Sequence, residues 1–153
     1  MPTNSVSETI IDLTDFNDKT YNGWESGPAG AQFEFVGADG GFYIFSNMTE
    51  NQQLSGTYLQ KEITTEPNCR YELEVVARAS VVDGRGPAGI QYFAAGEDLF
   101  IDVIDRPAWG SLRVPFIAET EITLIQLYKP NTDPDYTANF DLNSITIFKS
   151  GVQ

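Results

Sequence analysis

The stretch DFNDKTYNGW, residues 15–24, sets Asp15, Asn17, Asp18 and Asn22 just ahead of the first tryptophan, Trp24. Oxygen-bearing side chains at this density suit a hard cation, a hydroxylated ligand, or a turn that spends them on its own backbone. Elsewhere Glu72 and Glu74 share one face of a strand-like run, ~7 Å apart, the raw material of paired-carboxylate chemistry. No second element supplies them with an oriented partner. The chain has no histidine, which removes Ser-His-Asp and Cys-His nucleophiles and every His-ligated metal centre. A single cysteine, Cys69, forbids an internal disulfide.

The charge narrows the partners. With 22 acidic against 9 basic residues the net charge is −13. That field repels phosphate backbones and anionic membrane surfaces, which disfavours nucleic acid. The longest apolar runs fall far short of the length that spans a bilayer, which disfavours membrane insertion. Neutral ligands and cations remain. The opening MPTNSVSETIIDL has neither a basic segment nor an apolar core of the Sec type.

The elements that must position these groups are strands. Short β-branched and aromatic runs alternate with Gly, Pro, Asn and Asp clusters, and helical periodicity is absent. The pattern predicts strands at 8–13, 31–37, 41–46, 56–63, 70–80, 88–95, 99–104, 111–118, 121–129 and 138–148. A tight hairpin is expected at Ala38-Asp39-Gly40-Gly41. Ten strands and no helix in 153 residues make one all-β domain, residues 1–153, of two packed antiparallel sheets. GPAG occurs twice, each time followed by one variable residue, Gln and an aromatic, and reads as reused turn chemistry rather than duplication.

Alternation assigns faces. In RYELEVVARAS, Tyr71, Leu73, Val75 and Ala77 face one way and Glu72, Glu74, Val76 and Arg78 the other. In EITLIQLYK, Ile125 and Leu127 oppose Leu124, Gln126 and Tyr128. A strand that is apolar on one side and carries Gln and Tyr on the other is a candidate ligand platform.

In order, LTDFNDKTYNGW, LSGTYLQKEITTEPNCRYELEVVARAS, AWGSLRVPFIAETEITLIQLY and ANFDLNSITI resemble segments of the jelly-roll carbohydrate-binding modules that accompany bacterial glycoside hydrolases. The resemblance spans nearly the whole chain and implies a jelly-roll β-sandwich that binds polysaccharide or other glycan without catalysis. It also implies a structural Ca²⁺ between the first and last strands. In that family an acidic residue after the early Phe and the first Asp of the closing motif help hold the ion; here those positions are Asn17 and Asn143. Each change removes a negative charge from a hard-cation site. Asp141 falls on the same strand face as Asn143, and Asp15, Asp18 and Glu8 are near in sequence, so the candidate metal set is Asp15, Asn17, Asp141 and Asn143. The alternative is a hydrogen-bonded polar seam.

A neutral sugar presents apolar C–H faces and a rim of hydroxyls, so its site needs an aromatic plane beside Gln, Asn, Asp, Glu or Arg. Trp109, between Pro107 and Gly110, is the leading stacking candidate, the alternative being a plug at one end of the sandwich. Trp24 is a second, although the resemblance implies that it packs structurally. Arg78, Gln91, Phe93, Gln126 and Tyr128 are expected on one face of three strands, with Arg85 reaching over from VVDGRGPAG. Two other readings stand beside this one: a virion-tail or cell-surface structural or adhesion domain, and a small polysaccharide lyase or hydrolase. An extracellular or virion-surface location fits the first two readings.

Overall fold

The computed structural model describes residues 8–38, 40–47, 56–80, 87–130 and 138–150. Among these the chain runs through β1 (Glu8–Thr14), β2 (Glu25–Ser26), a 3-10 turn (Pro28–Gly30), β3 (Glu34–Ala38), β4 (Gly41–Phe45) and β5 (Gly56–Thr64). It continues through β6 (Arg70–Ala79), β7 (Ala88–Ala94), β8 (Glu97–Ile104), β9 (Gly110–Ile117), β10 (Ile122–Lys129) and β11 (Phe140–Ser150). All ten expected strands form. The expected start at Ala31 moves to Glu34 because the first GPAG closes a 3-10 turn, with Gly30 and Phe33 N–H groups bonded to Gly27 and Gly30 carbonyls. A Cβ at Gly30 would stand 2.2 Å from the Tyr58 carbonyl oxygen, so glycine here permits the turn to lie against β5. The second GPAG does something else: its Ala88 already opens β7. The two copies therefore differ in local structure, and the expectation of reused turn chemistry holds for the first copy alone.

Two antiparallel sheets result. One runs β3-β4-β11-β6-β9, with β1 also paired to β11; the other runs β2-β5-β10-β7-β8. Together they form an all-β sandwich. The hairpin at 38–41 is present, with Ala38 paired to Gly41 and Gly40 at φ +83°. No helix among the described residues is long and apolar enough to cross a membrane.

The inward faces are those that alternation selects. Leu73, Val75, Ala77, Ile145 and Ile147 of the larger sheet meet Leu59, Ile90, Tyr92, Ile125 and Leu127 of the smaller, all essentially without solvent contact. Buried hydroxyls must be paired. The Tyr58 hydroxyl donates to the Gly89 carbonyl at 3.0 Å, and its burial pushes its pKa far above the usual phenol value.

Trp24 closes one margin of this core. It is 4% exposed, and its indole N–H donates to the Thr14 hydroxyl at 3.1 Å, joining the start of β2 to the end of β1. The expectation of Trp24 as a ligand-stacking ring is therefore corrected: its face is spent on packing, as the resemblance implied. Trp24→Ala should cost about 3–5 kcal/mol and lower the melting temperature by on the order of 10 °C. Thermal unfolding of the purified domain measures this; a fall of under about 2 °C would contradict the core placement.

Candidate functional site

Two clusters emerge from the expected binding residues, on opposite sides of the sandwich. The first lies on the outer face of the five-stranded sheet. Pairing of β10 with β7 puts Gln126 beside Phe93 and Tyr128 beside Gln91, and pairing of β10 with β5 puts Gln126 beside Gln60. The Gln126 side-chain amide donates to Gln60 Oε1 at 3.1 Å, and the Phe93 and Tyr128 rings meet edge to face at 5.5 Å. All five side chains belong to half-buried residues, pinned by cross-strand neighbours but still reachable. Toward β2 this surface runs into a depression of about 420 Å³ lined by Glu25, Gln60, Glu62 and Leu124 among others. Gln60 joins platform and depression. Sequence reasoning missed it as a site residue, although its outward position next to Gln126 follows once β5 and β10 are known to pair.

Arg78 is not part of this platform, and the expectation that it shares a face with Gln91, Phe93, Gln126 and Tyr128 is corrected. It sits on β6, in the other sheet. Alternation gives the face of a strand but says nothing of which sheet the strand joins. Arg85 lies outside the described residues.

The second cluster forms where Arg78 does stand. Register places it opposite Asp141 of β11, and Arg78 Nε donates to Asp141 Oδ2 at 2.8 Å. Asp141 has no exposed surface, so this charge-assisted bond is what makes its burial tolerable. The guanidinium then lies 4.0 Å from the centre of the Trp109 ring and 5.2 Å from that of Tyr43, two cation–π contacts. Trp109 and Tyr43 meet at 71° with centroids 5.5 Å apart. Trp109 is half-buried on the outside of the six-stranded sheet and does not plug the sandwich.

The segment carrying Trp109 crosses from β8 in one sheet to β9 in the other, and Arg106 fixes it. Its guanidinium grips both oxygens of buried Asp102 and donates to the carbonyls of Ala77 and Gly110, while its own carbonyl accepts from Ala79 N–H. A Cβ at Gly110 would come within 2.7 Å of that arginine. Tyr43 and Arg106 hold this cluster in place, and the sequence did not flag them, since nothing local distinguishes them from other strand and loop residues.

Trp109, Tyr43, Phe42, Gly40, Gly41, Asn17 and Asn143 line one cleft of about 240 Å³. The metal expectation meets the sugar expectation here, because Asn17 and Asn143 stand on the same wall. Asp15 and Asp141 do not join them. Asp15 is exposed and accepts the Asn17 N–H at 3.1 Å; Asp141 is turned to Arg78. Asn17 Oδ1 accepts the Phe42 N–H at 3.0 Å. Ca²⁺ takes six to eight oxygens, commonly including carboxylates. Among the described residues no group of three Asp, Glu, Cys or His side chains is arranged to hold a metal ion. The described residues thus offer no carboxylate cluster at the cleft, and one Asp141 oxygen stays buried without a partner among them.

Glu72 and Glu74, the potential carboxylate pair, both bind Arg113, at 3.1 and 3.2 Å, and Glu8 joins them at 2.8 Å. Partial burial works to raise the Glu72 pKa, but hydrogen bonds from Arg113 and Arg70 more than offset it and hold the carboxyl below its usual range. A carboxylate so held cannot serve as a general acid near neutral pH.

No family model matches the sequence, and no curated protein matches it. Solved structures do share its fold. The CBM22-1 xylan-binding domain of Paenibacillus barcinonensis Xyn10C superposes with a TM-score of 0.68 at 16% identity, covering 97% of this chain and 99% of that one. A second structure, a xylan-binding domain from CBM22, gives 0.64 at 14% identity over 94% and 97% of the two chains. The C-terminal domain of EclA, a sugar-binding protein, gives 0.54 at 20% identity over 89% and 97%. The jelly-roll sandwich of carbohydrate-binding modules is thus the architecture of this chain.

From the donor set we expect the melting temperature to be unchanged by EDTA and by subsequent millimolar Ca²⁺. A rise with Ca²⁺ that EDTA reverses would show that the chain completes a cation site after all.

Proposed function

We propose that the chain is a non-catalytic carbohydrate-binding module whose ligand lies across the outer face of the five-stranded sheet. The observation that carries this reading is the continuous band Gln60–Gln126–Phe93, flanked by Gln91 and Tyr128, on three adjacent strands. Each carboxamide offers two donors and one acceptor, which matches a hydroxyl that both donates and accepts. Phe93 and Tyr128 supply the aromatic surface for sugar C–H faces. Glu25 and Glu62, along the depression that continues from Gln60, add acceptors for further hydroxyls.

Electrostatics selects within the class. A net charge of −13 disfavours polyanionic glycans, so a neutral polymer is the fitting ligand, and xylan, named for two of the structural relatives, is the first to test. Such polymers are met outside the cell, which accords with an extracellular or surface location. The absence of a histidine and the ion-paired state of Glu72 and Glu74 support binding without turnover. The structural-protein alternative calls for a broad apolar face, but the outer side of the six-stranded sheet carries the Arg113–Glu8–Glu72–Glu74 network instead.

Affinity electrophoresis in soluble xylan, followed by titration with xylohexaose, tests the reading. Wild type should be retarded, and Gln126→Ala and Tyr128→Ala should each weaken binding about tenfold, the scale of one lost hydrogen-bonding or stacking contact. Failure of a folded, monodisperse sample to bind xylan or any other neutral glycan on an array would overturn it. So would undiminished binding by the Gln126→Ala/Tyr128→Ala double variant.

A further inference from the structure

We infer that the cleft beside Trp109 is a second binding site, separate from the sheet-face platform, that takes one neutral sugar ring. The two sites occupy opposite outer faces, since Trp109 stands against β4 and β6 of the six-stranded sheet while Gln91 and Gln126 belong to the five-stranded one.

The cleft is prepared in advance. Arg78, fixed by wholly buried Asp141, stacks on the Trp109 ring; Tyr43 abuts it; Arg106 clamps the crossover from which it projects. An aromatic ring packed by Arg78 and Tyr43 on a clamped crossover keeps its orientation before a ligand arrives, which removes an ordering cost from binding. Nothing in the core requires this, because Trp109 contributes no surface to the inter-sheet cluster.

The cleft lining also offers polar groups with capacity to spare. Asn17 Oδ1 is engaged by the Phe42 N–H, but its Nδ2 donates to no acceptor among the described residues. The Asn143 carboxamide likewise makes no hydrogen bond to a described residue. Asn143 falls in the bulge of β11, between Leu142 and Ser144, where the extra residue tips its side chain out of the ladder and into the cleft. Glycine keeps the floor open. A Cβ at Gly41 would lie 2.1 Å from Asn17 Oδ1, and one at Gly40 would project into open space.

An aromatic ring and two carboxamides lining one cleft of about 240 Å³ are the recognition chemistry of a hydroxylated ring. The volume sits below the ~300 Å³ at which drug-sized pockets begin, so the cleft encloses one sugar residue. The ligand class is thus a terminal or free neutral monosaccharide unit, whereas the open platform accommodates a chain. The domain would hold two glycan segments at once.

Side-chain signals of the ¹⁵N-labelled chain separate the two sites. Titration with the methyl glycosides of xylose, glucose, galactose and mannose should shift the Trp109 indole and the Asn17 and Asn143 amides saturably with at least one sugar. Trp109→Ala should weaken that response about tenfold or more, with the buried Trp24 indole signal reporting that the variant is folded. Asn143→Ala, which leaves the Arg78 stack intact, should weaken it too, and Gln126→Ala should not. Shifts of Gln91 and Gln126 with xylohexaose report the sheet-face reading independently, so either site can fail alone. The inference is overturned if none of the four glycosides moves the cleft signals, or if Gln126→Ala abolishes their response.

Discussion

β11 hydrogen-bonds to β6 along one edge and divides its other edge between β4 and β1. Asp141 and Leu142 pair with β4, and Ile145 onward pairs with β1. Two strands cannot occupy the same edge at the same height, so they part at Asn143, where the ladder bulges. This fork fixes much of the larger sheet. It sends the chain after β1 across to Phe42 through Asn17, turns Asn143 outward, and opens the cleft that Trp109 overhangs. With Phe140, Leu142, Ile145 and Ile147 all buried, β11 cannot shift register without carrying its apolar set out of the core.

The Arg78–Asp141 pair stands beside that fork and carries a constraint of its own. A carboxylate without solvent contact is costly unless paired, and removal of the arginine would leave an uncompensated buried charge. The pair therefore holds the guanidinium in one place. Because that guanidinium also packs against both Tyr43 and Trp109, an internal electrostatic requirement becomes an external one, the fixed orientation of a surface ring. Arg106 does the equivalent on the other side of the crossover by joining Asp102 of β8 to the backbone of β6 and β9.

The outer faces of the two sheets thus differ in kind. The five-stranded sheet presents neutral amides and aromatic rings fixed by cross-strand contact, suited to a ligand that lies along it. The six-stranded sheet spends most of its outer polar groups on itself. Arg113 is shared among three glutamates while stacked 3.9 Å over Phe148, and Arg78 is committed to Asp141. What remains open there is the small cleft at the fork.

The strands were legible in the sequence because a half-buried strand writes its two faces in period two. Leu73, Val75 and Ala77 point inward as Glu72, Glu74 and Arg78 point outward, whatever the strand pairs with. The likeness of the ordered motifs to jelly-roll modules was legible for the same reason, and the fold agrees with it. The platform of Gln91, Phe93, Gln126 and Tyr128 needed one fact more, that β7 and β10 are neighbours. Sheet membership could not be read, so Arg78 was grouped with residues on the far side of the molecule. Nor could the fates of the two tryptophans be told apart locally: both precede or follow Gly and Pro, yet Trp24 packs inward against Thr14 while Trp109 is held outward by Arg78 and Tyr43. Sequence alone determined which side chains share a face of a strand, because that depends on adjacent residues. Only the tertiary structure decided which faces share a surface, because that depends on hydrogen-bonded pairing between segments far apart in the chain.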